Sequence, residues 1–287
     1  VLYIGYYRED SEWGDLTTNN ILALDAVGVD VVPRSIKVSQ DKRLEGKMLE
    51  LERKSSDGCD YCIQHVFPDA MIGAGKKFKK NVGILSNGFV ELNHTTWPEK
   101  LSLMDEVWLP SEKAKQALCV DAKLEVAPYA FDNSIIKANH GFLPIPNAMG
   151  TFRFYTMAGG GPRSKGLQAV MSAFHSEFGP EDNVSLLVQC PWSDKENVTE
   201  VINDVSNEIK SGLKLHPDPR LYKKDITISV ENITPQNLLD IHNTCDCYIS
   251  SNNEAGWQSS EFTAMAFGNT PIVFDKSVSS EFIGEAG

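Results

Sequence analysis

A glycine-rich segment followed by two cationic side chains is the pattern in this sequence with the clearest chemistry. It runs from Met157 to Gly166, between a predicted strand and a predicted helix. Glycines let the backbone approach a ligand closely, and the unpaired N–H groups at a helix start favour an anion. Arg163 offers a bidentate fork for phosphate oxygens and Lys165 a point charge. The segment therefore predicts a diphosphate site, with Gly160 and Gly161 in its wall.

The alternative for this segment is an ordinary glycine turn beside two solvated cations. Neither the GxxxxGK[ST] nor the GxGxxG pattern of the common nucleotide-binding loops occurs in it. The site is therefore predicted from strand, turn and helix order rather than from a fixed motif.

A second polar loop, around residues 253–260, follows a predicted buried strand and leads into a helix that Ser259 or Ser260 would cap. Glu261 then falls in the first helical turn. One interpretation is a favourable interaction between its carboxylate and the helix dipole. The other is a carboxylate that accepts hydrogen bonds from two ribose hydroxyls. Residue chemistry alone leaves both open.

Short apolar runs alternate with helical stretches from end to end, which predicts an α/β fold of parallel sheets covered by helices. An aperiodic stretch rich in proline and glycine, residues 136–150, predicts a linker between two Rossmann-like domains at 1–135 and 151–287. Ligands of such sheets bind outside the carboxyl ends of the strands. The predicted strands are Val1–Tyr7, Val29–Pro33, Tyr61–Val66, Val82–Ser86, Glu106–Leu109, Phe152–Met157, Val184–Val188, Ile226–Val230, Cys245–Ser250 and Pro271–Phe274.

Two further local signals concern the helices. Apolar residues at helical spacing predict an amphipathic helix after the glycine-rich segment, and they are Leu167, Val170, Met171, Phe174 and Phe178. Side chains suited to cap a helix start are those of Ser111, Ser164 and Thr234.

The composition excludes several classes of protein. With 27 Lys+Arg against 39 Asp+Glu, the net charge of −12 argues against a nucleic-acid partner. No apolar run approaches the roughly 20 residues of a membrane span. The basic run Lys76–Lys80 predicts a solvated turn or a weak peripheral contact with a membrane surface. Six cysteines are too few for a disulfide scaffold, and Cys59 and Cys62 lack further ligands, so we expect a cytoplasmic protein without a bound metal.

Several motifs, in order along nearly the whole chain, resemble the retaining GT-B glycosyltransferases, family 4 in particular. The second half carries Arg163-Ser-Lys165-Gly166-Leu, Cys245-Asp-Cys, Glu254-Ala-Gly-Trp257 and Glu261-Phe-Thr-Ala-Met-Ala-Phe-Gly268-Asn-Thr-Pro271. The first half carries Trp13-Gly14, Gln64-His65, Val82-Gly-Ile-Leu, Glu91, Trp97-Pro and Met104–Ser111. The resemblance implies two Rossmann-like domains facing across a cleft, with further elements after Gly287, so that the C-terminal part of the fold is expected to be truncated here.

The resemblance also implies a reaction. A hexosyl group would pass from a UDP- or GDP-sugar to an acceptor hydroxyl, with retention at the anomeric carbon and without a metal or other cofactor. Arg163 and Lys165 would neutralise charge on the departing diphosphate. Glu261 would hold the ribose and Glu254 the hydroxyls of the donor sugar, and the same motif contains Gly256 and Trp257.

Other residues are implied on the acceptor side. Gly14 would allow close approach of the diphosphate from the first domain, while His65, Asn87 and Glu91 would contact an acceptor that could be a glycan, a lipid or a protein. A lone histidine at a strand end is also a common structural residue.

Two alternatives remain open at this point. Aligned on Ala264-Met265-Ala266, Thr263 stands where the family's second glutamate does, which favours a degenerate, non-catalytic GT-B partner that only binds. A nucleotide-sugar epimerase or hydrolase of the same fold would need an acid–base pair, and His65 is the one candidate noted for it.

Overall fold

The computed structural model describes residues 1–36, 42–74, 77–86, 96–145, 148–159, 161–190, 197–218, 221–223, 225–228, 234–251 and 256–284. Its contacts divide the chain into two compact units. Unit 1 comprises residues 1–135 together with 255–257, and unit 2 comprises residues 136–254 and 258–287. Each unit is built around one parallel sheet, so the predicted α/β class is confirmed.

Unit 1 contains a six-stranded sheet in the order β2-β1-β3-β4-β5-β6. Its strands are β1 Leu2–Gly5, β2 Val32–Ser35, β3 Tyr61–His65, β4 Lys80–Ile84, β5 Glu106–Leu109 and β6 Lys123–Val126. Its helices are α1 Glu12–Ala26, α2 Gly46–Glu52, α3 Trp97–Leu101 and α4 Glu112–Ala117, and α5 Ser134–Lys137 falls where the chain passes from one unit to the other.

Unit 2 contains a five-stranded sheet in the order β11-β10-β7-β8-β9. Its strands are β7 Phe152–Met157, β8 Val184–Gln189, β9 Asp225–Ile228, β10 Cys247–Ile249 and β11 Thr270–Ile272. Its helices are α6 Lys165–Glu177, α7 Val198–Leu213, α8 Pro235–Thr244, α9 Ser259–Ala266 and α10 Ser279–Ile283.

The core of unit 2 follows from apolar spacing. Leu167, Val170, Met171 and Phe174 of α6 recur at the helical period, and all four are buried against β8 and α7. Burying each such side chain contributes about 1.5–3 kcal/mol. The predicted amphipathic helix is therefore confirmed, and its packing fixes where its first turn lies at the end of the sheet.

Sequence signals located several element ends correctly and missed one. Ser111, Ser164 and Thr234 cap their helices through side-chain hydrogen bonds, as predicted. The predicted cap of α9 by Ser259 or Ser260 is wrong, because α9 already begins at Ser259 and its N-cap residue Gln258 makes no side-chain capping bond. The start of α9 is thus held by packing rather than by a cap.

An ionic cluster lies at the amino-terminal edge of the unit 1 sheet. Glu106 accepts hydrogen bonds from Lys80 at 2.7 Å and Lys123 at 3.0 Å, and these bonds lower the pKa of its carboxyl to about 2. The three residues begin adjacent strands, at the edge opposite to that where ligands bind. The cluster therefore ties strands together, and it neutralises part of the basic run.

Lys79 of the same basic run pairs with Asp60 at 3.0 Å. Lys76 lies outside the described residues, so the predicted membrane contact of the run remains a prediction. In the described part of the chain, no helix is long and apolar enough to cross a membrane.

Candidate functional site

The unit 2 sheet has a point where its strand order reverses. The chain leaves β7 towards β8 on one side, and later returns to pair β10 with the other side of β7. The loops that follow β7 and β10 therefore leave the sheet side by side at its carboxyl edge. Ligands of open parallel sheets bind at such a switch point. These two loops are the glycine-rich segment and the polar loop before α9.

The turn after β7 needs its glycine. Ala158 is buried and its N–H donates to the Gln189 carbonyl at 2.8 Å. Gly161 has a φ of 88°, and its N–H donates to the Ala158 carbonyl at 3.2 Å. This left-handed conformation is accessible to glycine at little cost. The chain can thus reverse tightly and present the start of α6 at the sheet edge.

The two predicted cations flank the start of α6, Arg163 just before its N-cap residue and Lys165 as its first residue. The Ser164 hydroxyl accepts a hydrogen bond from the Leu167 N–H at 3.3 Å and caps the helix. Arg163 and Lys165 lie on either side of Ser164, and both side chains are exposed. The Arg163 Nη1 lies 3.9 Å from Glu208 Oε2, a loose pair between exposed groups that is worth little in water. An anion at this helix start would meet both cations and backbone N–H groups.

Backbone packing joins the two loops. A Cβ atom on Gly166 would lie 1.6 Å from the carbonyl oxygen of Ser251, the second residue after β10. The Ser251 hydroxyl also donates to the Met157 carbonyl at 3.2 Å. No side chain fits at position 166 unless the backbone moves. Gly166 therefore holds the start of α6 directly against the loop that leads to Glu261.

Glu261 is the most unusual polar group of unit 2. Its side chain is 1% exposed, and neither carboxylate oxygen makes a hydrogen bond of good geometry with a described residue, although the Ser250 hydroxyl lies close enough to act on it. Burial raises the pKa of its carboxyl to about 7, against a smaller opposing effect of the Ser250 hydroxyl. A buried acceptor without a partner costs about 1–3 kcal/mol or more. A favourable helix dipole does not require such burial, so the dipole alone does not explain this carboxylate.

The contact division separates two members of the predicted donor motif. It assigns Gly256 and Trp257 to unit 1 and Glu261 to unit 2. Within unit 1, the Trp257 ring meets the Tyr129 ring edge-on at 5.4 Å, and the backbone N–H of Trp257 donates to the Ser86 carbonyl at 3.3 Å. Trp257 is thus a packed residue of unit 1.

Unit 1 has its own switch point, between β1 and β3, and His65 ends β3 there. Its Nδ1 lies 3.0 Å from the Tyr3 hydroxyl and 3.3 Å from that of Thr17. Its Nε2 lies 3.2 Å from the Tyr129 hydroxyl and 3.3 Å from that of Ser86. Burial lowers the pKa of His65 to about 3. The imidazole is therefore neutral at physiological pH, and hydroxyl groups surround both ring nitrogens.

Glycine is required at position 14 for a structural reason that the sequence did not suggest. A Cβ atom there would lie 2.1 Å from the Glu9 carbonyl oxygen, so glycine lets the loop after β1 fold onto the first turn of α1. Its N–H donates to the hydroxyl of Ser11, the N-cap residue, at 3.3 Å. The predicted approach of a diphosphate at Gly14 remains a prediction.

In unit 2 the structure brings Gly161, Arg163, Lys165 and Glu261 to the loops of one sheet edge. Four predicted site residues lie outside the described residues: Asn87, Glu91, Gly160 and Glu254. Sequence reasoning missed the contact of Gly166 with Ser251 and the hydroxyl groups around His65. Among the residues described, no group of side chains could hold a metal ion.

The fold of this chain is shared with solved structures. No family model and no curated protein matches the chain. Among solved structures it is similar to a trehalose-6-phosphate synthase studied with bisubstrate glycomimetics for glycosyltransfer with retention, at 12% identity and a TM-score of 0.63, over 98% of this chain and 85% of that one.

Two further solved structures agree. An E. coli trehalose-6-phosphate structure bound with UDP-2-fluoro glucose has 12% identity and a TM-score of 0.65, over 98% of this chain and 85% of that one. A UDP-forming α,α-trehalose-phosphate synthase from Burkholderia xenovorans in complex with glucose-6-phosphate has 14% identity and a TM-score of 0.58, over 79% of this chain and 62% of that one.

The chain has the fold of GT-B glycosyltransferases. Identities this low establish the fold alone. The fold assignment agrees with the two Rossmann-like sheets, and the resemblance to family 4 in particular remains a prediction.

Proposed function

We propose that this chain is a glycosyltransferase that moves a hexosyl group from a nucleotide diphosphate sugar to an acceptor hydroxyl with retention. The observation that carries the proposal is one sheet edge in unit 2. There the cationic, glycine-rich start of α6 lies beside the loop leading to Glu261, whose buried carboxylate makes no hydrogen bond of good geometry with a described residue. Phosphate oxygens suit the cations, and a ribose diol suits the carboxylate. A nucleotide diphosphate carries both groups in one molecule.

The cations act on the leaving group. As the bond between the anomeric carbon and the diphosphate breaks, negative charge grows on the diphosphate oxygens. Arg163 and Lys165 stabilise that charge, assisted by the N–H groups at the start of α6. A single preorganised donor of this kind is worth roughly 3 kcal/mol, or about a hundredfold in rate. We propose that these charges suffice without a metal ion.

The remaining donor contacts follow from the same arrangement. Glu261 accepts hydrogen bonds from the two ribose hydroxyls, which supply the partners it lacks. Glu254, Gly160 and Gly256 are proposed to complete the site around the donor sugar and the diphosphate, and Trp257 is proposed to border it.

The acceptor is proposed to bind unit 1, at the loops that follow its switch point. Gly14, His65, Asn87 and Glu91 are the residues proposed there. Because burial keeps the pKa of His65 at about 3, this imidazole is suited to hold its neighbours in place rather than to give or take a proton near neutral pH. That property disfavours an epimerase or hydrolase, which would need His65 as its acid or base.

More than one class of acceptor molecule is compatible with this proposal. Glycans, lipids and proteins all offer hydroxyl groups, and the glucose-6-phosphate bound to the Burkholderia xenovorans structure makes a sugar phosphate a further acceptor to test. We propose a cytoplasmic enzyme, with any membrane contact made weakly through Lys76–Lys80.

A non-catalytic binding partner is the second candidate function. It is favoured by Thr263, which occupies the position of the family's second glutamate on α9. The buried Glu261 lies two residues earlier on the same helix, and its unsatisfied oxygens favour a working donor site.

Calorimetry with UDP-, GDP- and ADP-glucose, each with and without Mg²⁺, tests the proposal. We expect one nucleotide sugar to bind without metal, and a ligand at 100 times its Kd to raise the free energy of unfolding by about 2.7 kcal/mol. Product analysis with glucose-6-phosphate as acceptor should then show net retention. Binding without turnover across an acceptor panel would favour the non-catalytic partner, and no binding from a folded sample would contradict the donor site.

A further inference from the structure

Within the described residues, the two strands that pack on α9 carry no positive charge that could compensate that of Glu261. Phe262 of α9 meets the Phe282 ring of α10 at 5.4 Å, and the charged residue of α10, Glu281, is an exposed carboxylate. The strands that pack on α9 are β10 and β11. Their side chains are those of Cys247, Tyr248 and Ile249 in β10 and of Thr270, Pro271 and Ile272 in β11, and burial keeps the pKa of the Cys247 thiol near 11. The one polar group that acts on the carboxylate is the Ser250 hydroxyl. At neutral pH, no charged side chain of either strand stabilises a carboxylate here.

These surroundings determine whether the Glu261 carboxyl is protonated. An anion removed from water without charged or hydrogen-bonded partners is unfavourable, so the neutral acid is favoured. Burial accordingly raises the pKa of Glu261 to about 7. In the free protein at neutral pH, the carboxyl is therefore divided between its acid and its anion.

A bound ribose diol changes the balance between the acid and the anion of Glu261. Two hydroxyl groups that donate to the two oxygens favour the anion, because hydrogen bonds to the charged form lower a pKa. We propose, resting on the function proposed above, that donor binding is coupled to deprotonation of Glu261. As the nucleotide sugar enters, the O–H bond of the carboxylic acid breaks and its proton passes to the buffer. The ribose O–H bonds stay intact and donate to the carboxylate.

The coupling makes donor affinity depend on pH. Only the anion accepts from both hydroxyls, so the apparent Kd is the intrinsic Kd divided by the ionised fraction. With the free pKa of Glu261 at about 7, affinity should weaken by about tenfold from pH 8 to pH 6. The diphosphate of UDP-glucose has no group that titrates between pH 6 and pH 8, and arginine and lysine side chains ordinarily titrate well above this range. A contact between the diphosphate and the start of α6 therefore does not produce the effect.

Calorimetry measures the proton directly. UDP-glucose is titrated into the full chain at one pH in PIPES and in imidazole, whose ionisation enthalpies differ, and the difference in observed heat gives the number of protons released. We expect about half a proton per bound UDP-glucose at pH 7 and close to one at pH 6. The Glu261→Gln variant keeps a polar side chain of the same size but cannot titrate, so any binding that it retains should release none.

The outcomes separate this inference from the proposed function. UDP-glucose binding with equal heats in both buffers and constant affinity from pH 6 to pH 8 overturns the coupling and leaves the transferase proposal standing. Equal proton release by wild type and Glu261→Gln overturns the assignment to Glu261. A chain that stays folded but binds no UDP-, GDP- or ADP-glucose at pH 8 contradicts both proposals.

Discussion

Replacing Arg163 and Lys165 together by alanine is expected to lower the rate of sugar transfer by about a thousandfold or more. Each cation is proposed to meet the departing diphosphate, and a single such contact is typically worth roughly a hundredfold. Both side chains are exposed, and the only ion pair recorded for either among the described residues is the loose one between Arg163 and Glu208. The free energy of unfolding should therefore change by less than about 0.5 kcal/mol. Steady-state turnover and urea unfolding measure the two effects.

A matched control is available in the same unit. Lys137→Ala removes an exposed lysine at the end of α5, outside the proposed site, and should leave turnover unchanged. Loss of transfer by both the double variant and this control would indicate a general effect of charge. Unchanged transfer by the double variant would contradict the diphosphate assignment.

The Glu261→Gln variant is expected to stabilise the free protein while it weakens donor binding. The folded pKa of Glu261, about 7, lies above its usual 4.5, so the group contributes stability below pH 4.5 that is lost as the pH rises through 7. Glutamine does not ionise and avoids that loss. The variant should therefore match wild type near pH 4 and exceed its free energy of unfolding by about 3 kcal/mol at pH 8. Urea unfolding across this range measures the difference.

The same experiment needs an exposed carboxylate for comparison. Glu181→Gln changes an exposed glutamate in the turn before β8, and its effect on stability should be small at every pH. If Glu261→Gln were no more stable than wild type at pH 8, Glu261 would have partners that offset its burial. The case for a carboxylate awaiting a ligand would then fail.

The two expected effects of Glu261→Gln are opposite. On the proposed function, Glu261 stabilises the bound donor, while its burial destabilises the folded protein. Sequence reasoning left the role of Glu261 open, because a first-turn glutamate is common at helix starts for electrostatic reasons alone. Burial of the carboxylate favours the interpretation as a ligand acceptor, which remains a proposal. Burial at 1% exposure depends on how α9 packs on β10 and β11, and no local pattern reveals it.

Local sequence signals predicted most of the strands and several helix starts. The strands Glu106–Leu109 and Phe152–Met157 were located to the residue, because each is a short apolar run with clear flanking turns. The short strand β6, Lys123–Val126, was missed, since alternating charged residues at a sheet edge give no apolar run. Helix caps at Ser111 and Ser164 were found because a capping side chain acts within three residues along the chain.

Contacts between distant parts of the chain could not be found in this way. The requirement for glycine at position 166 comes from Ser251, which lies far along the chain and reaches α6 only when β10 pairs with β7. The hydroxyl groups around His65 likewise come from four separate segments. Sequence reasoning proposed the residue types of the donor site, and tertiary packing determines how they are held.

Hydrogen–deuterium exchange of the full chain with and without UDP-glucose tests most directly where the donor binds. A nucleotide at the switch point of the unit 2 sheet should slow exchange in peptides that cover 158–167 and 258–266, around the start of α6 and the first turn of α9. The peptide over the ionic cluster at Lys123 should serve as an unchanged reference. If UDP-glucose binds and neither of the two unit 2 peptides is protected, the donor site is not at this edge and the account of Arg163, Lys165 and Glu261 is wrong.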